Sequence, residues 1–358
     1  MEQELIQIFI QFNIDTSFRE FKTFNSGHIN DTFLIYTDSS TSYVLQKING
    51  NVFKNSVDLI QNKVAIANHL LQKGCKSLEF IPTKEGKMYI EDAKANYWCL
   101  SKYIENSQTF LQVESNDIAY QAGVATGNFL ANTTDFNGNL IEILPNFHSI
   151  SWRFEQFKQS LTTTSQIRKE KAQEWINFVF NHIEEMIVLD HALNNNEIPL
   201  RITHNDTKIS NILFDQNKNA ICLIDLDTVM KGCIHFDYGD AIRTICSTAP
   251  EDEMDLEKVN FNFNYFKHYS SGFFKFLKGK LTSKEIHLLP HSPKIMTFIM
   301  GLRFLTDYLN DNIYYKVKYP NHNLDRAINQ FTLVTKIKKV QLEINNEIFR
   351  SKNLLLHR

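Results

Sequence analysis

Leu5, Ile8, Phe9 and Phe12 recur at intervals of three and four, the period of a short helix with one buried face. The pattern then changes. "FREFKTFN", "DTFLIYT" and "TSYVLQKI" are short runs rich in aromatic and β-branched residues, parted by turn residues such as "TDSST", and they predict three strands. Helical spacing returns in "SVDLIQNKVAIANHLLQKG", which puts Val57, Ile60, Val64, Ala67 and Leu71 on one face and ends at Gly74, a natural stop. "KMYIED" and "NYWCLSKYI" predict two further strands.

From about residue 105 the helical period takes over, in "SNDIAYQAGVATGNFLANTT" and again around "EWINFVFNHIEEMIVLDHAL". "THNDTKISNILFDQNKNAICLIDLDTV" (203–229) interrupts it with a loop and a predicted hairpin that turns at "DQNKN", where Asp215 is a turn residue. Helices then resume, one opened by a capping box from Thr282 to Glu285. The chain shows no internal repeat and no low-complexity linker. The expected class is therefore α+β with two lobes: a small β-rich N-lobe over 1–104 and a larger helical C-lobe over 105–358. Such an arrangement favours a ligand cleft between the lobes.

Composition supports this division. The 358 residues suffice for two lobes, and only 12 Gly and 7 Pro agree with a helix-rich chain of few extended loops. A net charge of -2 points to neither a nucleic-acid nor a membrane-surface partner. The five cysteines form no C-x-x-C pair, so buried, reduced thiols are expected rather than a zinc site or a disulfide framework. The start, "MEQELIQIFIQF", is acidic and amphipathic, unlike a signal peptide, and "IMTFIMG" is far short of the roughly 20 residues needed to span a bilayer. The cytoplasm is the expected location. "GFFKFLKGKLT" lacks the spacing of a phosphate-binding Walker loop and reads as a solvated helix end, and "APEDEMDLE" as a solvated helix start.

Chemistry concentrates in 203–229. His204, Asp206 and Asn211 give H-x-D-x-x-x-x-N, and Asp225 ends the second strand of the hairpin, with Asp227 two residues on. Phosphoryl transfer needs a carboxylate to orient and deprotonate the acceptor hydroxyl, and oxygen ligands for magnesium. A loop Asp with an Asn five residues later brings both into one small volume. Several carboxylates near one point would repel one another unless a cation neutralises them.

These residues resemble those of the aminoglycoside phosphotransferase/choline kinase superfamily, which has the protein-kinase-like fold, and within it the N-acetylhexosamine 1-kinases. The resemblance is carried by "GHINDTF", "YVLQKINGNVFKN", "KYIENSQTF", "THNDTKISNILFD", "IDLDTVMKG", "FDYGDAIRT" and "GLRFLTDYLNDNIYYK", over residues 27–318. It implies an ATP- and Mg²⁺-dependent kinase of carbohydrate metabolism that makes an N-acetylhexosamine 1-phosphate from N-acetylglucosamine or N-acetylgalactosamine. Asp206 would be the catalytic base, Asn211 and Asp225 metal ligands, and Asp227 a second metal-side carboxylate or an orienter of the first. His204 and Asp237 would brace the loop, and Asp240 and Arg243 are spaced for an ion pair.

On the nucleotide side, Ser26 and Gly27 sit where the resembled fold places its phosphate-covering loop, and Lys102 and Ile104 would meet adenine through backbone groups. The third strand offers Lys47 and Gln46 on opposite faces, and Lys47 is expected to face the phosphates. The following helix contains no Glu, so the Lys–Glu clamp of protein kinases is not expected. His28, Arg303, Tyr314 and Tyr315 would bind the sugar: an Arg fork and Tyr rings suit a polar ring with an amide substituent. The competing acceptors are choline, ethanolamine, homoserine and aminoglycosides; the competing class is a non-catalytic nucleotide-binding protein.

Overall fold

The computed structural model describes residues 1–24 and 29–354. Helix α1 (Glu2–Phe9) precedes strands β1 (Phe18–Phe24), β2 (Asp31–Thr37) and β3 (Tyr43–Ile48), then α2 (Ser56–Gln72). Strands β4 (Phe80–Ile81), β5 (Ile90–Glu91) and β6 (Tyr97–Lys102) complete an antiparallel six-stranded sheet of order β1-β2-β3-β6-β4, with β5 also on β6. The two-residue β4 is too short to leave a period in the sequence.

The sheet buries its faces against different partners. Leu45, Leu100 and Trp98 join Leu5, Ile8, Phe9 and Phe12 under α1, while Ile48 and Cys99 join Leu59, Ile60 and Val64 of α2. The alternation of a strand dictates the rest: Gln46, opposite Cys99, faces α2, and Lys47, opposite Trp98, faces the other way.

Helix α2 is buried more broadly than its apolar stripe predicts. Leu59, Lys63, Ile66 and Leu70 are buried along with Ile60, Val64 and Ala67, whereas Leu71, expected to be inside, is exposed. The helix is wedged between β6 and the C-lobe, so two of its sides are covered. It closes on a Schellman motif, Cys75 N–H to Leu70 O at 3.0 Å and Gly74 N–H to Leu71 O at 2.9 Å, with Gly74 at φ +74°.

The C-lobe begins with α3 (Asn116–Thr133), α4 (Ile150–Thr163), α5 (Gln166–Lys171), α6 (Gln173–Met186) and α7 (Val188–Asn194). Two small antiparallel pairs follow, β7 (Arg201–Thr203) with β10 (Met230–Gly232), and β8 (Ile212–Phe214) with β9 (Ala220–Leu223). The hairpin turn is held by Asp215, which accepts from the Asn219 backbone N–H at 2.8 Å. Helices α8 (Ile234–Ile245), α9 (Phe263–Phe274), α10 (Ser283–Leu288), α11 (Ser292–Leu309), α12 (His322–Lys339) and α13 (Gln341–Leu354) complete the lobe.

Helices α3 and α9 touch backbone to backbone through glycines: a Cβ on Gly123 would lie 2.0 Å from Tyr269 O, and one on Gly272 2.1 Å from Tyr120 O. Helix α11 runs through a second core with Leu302, Leu305 and Leu309 packed beside Phe331 of α12. The capping box at Thr282 and Glu285 forms, and Glu285 also receives Arg201 Nε at 2.6 Å. The acidic run 249–257 opens no α-helix. It forms turns and a single 3-10 turn, because Glu251 is drawn to Arg243 and Asp252 to Lys318. Among the described residues no helix is long and apolar enough to cross a membrane.

Candidate active site

Strand β7 delivers the chain to a loop that turns through Asn205 at φ +66°, a left-handed conformation Asn tolerates. Asp237, in the first turn of α8, clamps this loop. Its carboxylate accepts the His204 N–H at 2.9 Å and the Asn205 N–H at 2.7 Å, and its carbonyl accepts the Thr207 hydroxyl at 2.6 Å. Burial keeps the His204 imidazole below its ordinary pKa, so its neutral ring donates from Nε2 to Ile224 O at 2.9 Å. The result presents Asp206, whose side chain is 29% exposed, on a fixed backbone.

Asp206 Oδ2 accepts from Lys208 Nζ and from Asn211 Nδ2, each at 2.8 Å. Burial pushes the Asp206 carboxyl up, but Lys208, with the hydrogen bond from Asn211, outweighs it and holds it below the ordinary carboxylate range. Asn211 also gives Nδ2 to Asp206 O at 2.9 Å, so its Oδ1 is the atom left to take a cation.

Asp225 follows at φ +62°, ψ +55°, an uncommon conformation for Asp that aims it from the end of the hairpin back toward the loop. Burial, then the neighbouring charges of Asp227 and Asp206, push its carboxyl up to about 7. That is the signature of uncompensated negative charge, which a divalent cation would relieve. The donor set therefore fits magnesium: one carboxylate and one amide oxygen, both hard oxygens, with further positions open to phosphate and water. Among the described residues no group of three or more His, Cys, Asp or Glu is placed to hold a metal ion.

Asp227 stands differently. It is 5% exposed and already satisfied: Oδ1 takes Lys63 Nζ at 2.5 Å and Oδ2 takes the Asn30 amide. Asn30 in turn accepts the Asn49 N–H at 2.8 Å, tying the chain ahead of β2 to the metal side. The expectation that Lys47 faces the phosphates is not met by the geometry. Lys47 lies over the Trp98 ring, 5.5 Å from its centre, on the α1 face, while Gln46 faces the cleft and accepts from Lys63 Nζ at 2.5 Å.

Ser26, Gly27 and His28 lie outside the described residues. At the hinge, the Lys102 N–H is committed to Glu79 O at 2.9 Å, and the Ile104 carbonyl accepts the Ser107 hydroxyl at 2.5 Å while keeping a lone pair.

Arg303, Tyr314 and Tyr315, three of the residues expected on the acceptor side, lie together. The Arg303 guanidinium lies 5.0 Å from the Phe147 ring centre, 5.6 Å from Tyr315 and 5.9 Å from Tyr314. Asp307 shapes this corner by accepting the backbone N–H groups of Tyr314 (2.8 Å) and Tyr315 (3.0 Å). Burial pushes the Tyr315 phenol up to about 12, and its hydroxyl has no partner among the described residues. Arg153 holds Phe147 O with Nε and Nη2, at 3.2 and 2.9 Å, and burial and Arg303 lower its guanidinium to about 10. His148 links this corner to the catalytic loop. Its Nε2 meets Asn205 O at 3.0 Å, its ring feels Arg303, Arg153 and Asp206, and burial lowers its pKa to about 3.

Residues 20–266, well over half of the chain, match the model of the phosphotransferase enzyme family. The chain belongs to that family. Its fold is shared by solved structures of low sequence identity. An aminoglycoside phosphotransferase from Alicyclobacillus acidocaldarius superposes with TM-score 0.64 at 10% identity, over 96% of each chain. A spectinomycin phosphotransferase in complex with ADP and spectinomycin gives 0.58 at 15%, over 95% of this chain and 98% of the other. An amicoumacin kinase in complex with AMP-PNP and Ca²⁺ gives 0.59 at 14%, over 96% and 92%. The two lobes of this phosphotransferase are thus those of the protein-kinase-like fold.

Four residues beside these candidate side chains escape a reading of the sequence. Lys208 had a signal, a lysine inside the H-x-D-x-x-x-x-N motif itself. Lys63 had a weaker one, a lysine in register with Leu59, Ile66 and Leu70 on a helix. Arg153 and His148 had none, because only the tertiary fold carries them to Arg303.

Proposed function

We propose that the chain is an ATP-dependent small-molecule kinase that uses Mg²⁺ and phosphorylates the anomeric hydroxyl of an N-acetylhexosamine, giving the sugar 1-phosphate. The kinase reading rests on one observation: Asp206, Asn211 and Asp225 converge with Lys208 beside a loop clamped by Asp237. Asp206 orients the acceptor hydroxyl and takes its proton late in the transfer, which suits a base of low pKa. Asn211 Oδ1 and the Asp225 carboxylate would hold Mg²⁺, which when bound neutralises charge on the phosphate oxygens. Asp227 is already held by Lys63 and Asn30, which leaves Asp225 as the carboxylate for the metal. The lobes divide near residue 104, between β6 and α3.

The choice of acceptor rests on the Arg303 corner. Its aromatic faces are covered by a guanidinium, with a second guanidinium close by, so a cationic amine would meet like charge there. The acidic run is no lure for a cation either, since Glu251 and Asp252 are paired. A neutral ring with an acetamido group instead finds N–H donors for its carbonyl and Tyr314, 60% exposed, for its face.

An ADP-release screen over N-acetylhexosamines, plain hexoses, choline, ethanolamine, homoserine and aminoglycosides, with ³¹P NMR of the product, tests the assignment. Turnover is expected with N-acetylglucosamine or N-acetylgalactosamine, with the phosphate on the anomeric oxygen. An ester at the 6-position, or no turnover with any amino sugar, overturns it.

A further inference from the structure

Lys63 has so far served only to hold Asp227, yet its placement is costly. The residue is 2% exposed and stands in the apolar row Leu59, Ile66 and Leu70, where an apolar residue would pack without desolvating a charge. Its Nζ donates to Gln46 Oε1 and to Asp227 Oδ1, both at 2.5 Å. An ammonium has three donors, so one remains for a ligand once these two are used. Burial works against the charge, but Asp227 and Asp225 more than compensate and keep Lys63 protonated.

The surroundings narrow what that ligand is. The cleft-facing position of β3 is the neutral Gln46, since Lys47 lies against Trp98 on the other face. Lys208 serves Asp206 on the acceptor side. Among the described residues, a polyphosphate lying between the sheet and the Asp225 end of the hairpin therefore meets one buried cation from the N-lobe, and it comes from the helix.

We propose that Lys63 binds the phosphate chain of the nucleotide, so that the N-lobe cation is supplied from α2 instead of β3, with Gln46 and Asp227 holding its ammonium in place. This rests on the phosphotransferase reading of the cleft but is independent of which acceptor is used.

Calorimetric titration with Mg²⁺·ADP, Mg²⁺·ATP and adenosine tests it without any acceptor. Lys63→Met should weaken ADP and ATP by at least ~10-fold, the loss of one charge-assisted hydrogen bond, and leave adenosine affinity unchanged. Lys63→Gln, which keeps a neutral hydrogen-bond donor near Gln46 and Asp227, guards against misfolding and should show the same selective loss. Adding Gln46→Lys to Lys63→Met should restore most of the ADP affinity by returning a cation from the strand. If ADP and adenosine weaken in parallel, or ADP affinity is unchanged, Lys63 only braces Asp227 and the proposal fails. Absence of ADP binding by the unaltered protein overturns this proposal and the kinase reading together. A failed acceptor screen with ADP binding intact overturns only the acceptor.

Discussion

Replacing Asp206 with Asn removes a proton acceptor while keeping its shape. Asp206 Oδ2 receives Lys208 Nζ and Asn211 Nδ2 at 2.8 Å each, and an amide oxygen in that position accepts both. The loop is clamped independently through Asp237, so its geometry survives. One negative charge disappears beside Asp225, whose carboxyl burial, Asp227 and Asp206 together push up to about 7. With one repulsive neighbour gone, Asp225 ionises more fully near neutral pH, and binding of Mg²⁺ and nucleotide holds or improves. Turnover has no such compensation. Loss of a positioned base costs at least ~10²-fold, or about 2.7 kcal/mol of barrier. The assay pairs coupled ADP release with calorimetric ADP binding and a thermal melt. Near-unaltered turnover would remove Asp206 as the base. A fall in ADP affinity matching the fall in kcat would show that the substitution disrupts the site instead of the proton transfer.

Three further outcomes are expected. Arg303→Ala, which uncovers Phe147, Tyr314 and Tyr315, should raise KM for the N-acetylhexosamine at least ~10-fold with KM for ATP within about twofold; equal shifts in both would deny a sugar-specific role. Gly123→Ala drives a Cβ to 2.0 Å from Tyr269 O, where two helix backbones must separate, and should destabilise the protein by about 1–3 kcal/mol or more in denaturant melts. An unchanged midpoint would mean the helices are not in that contact. Burial holds His148 and His235 down to about 3 and about 4, against 6.5 for a free imidazole. The unfolded chain then binds protons that the native protein refuses, so their contribution is intact above pH ~6.5 and lost as pH falls toward ~4. His235→Gln should flatten this fall by up to about 1.4 kcal/mol per pH unit in urea midpoints, and an identical slope would contradict the assignment.

The parts of the protein legible in the sequence are those fixed by neighbours along the chain. Runs rich in aromatic and β-branched residues gave β1, β2 and β3, helical period and Gly74 gave α2 with its end, and turn residues gave the β8–β9 hairpin. The Asp206–Asn211 bond spans five residues and Asp225 arrives on the adjacent hairpin, so spacing brought the proposed base and the proposed metal ligands into view together. The acidic run misled for the opposite reason: its charges answer to Arg243 and Lys318, one of them 66 residues away.

The sequence by itself therefore determined the strand-rich first hundred residues, the helical remainder and the loop that carries Asp206 and Asn211, because hydrophobic period and loop spacing are local quantities. Only the tertiary structure decided which side chains share a face. It turned Gln46 inward and Lys47 outward, since β3 must bury Leu45 under α1 and Ile48 against α2. It lodged Lys63 beside Asp227, because α2 is covered on two sides, and it carried Arg153 and His148 to Arg303 across more than a hundred residues of chain. Those contacts depend on how packed surfaces meet, a property that no spacing along the chain encodes.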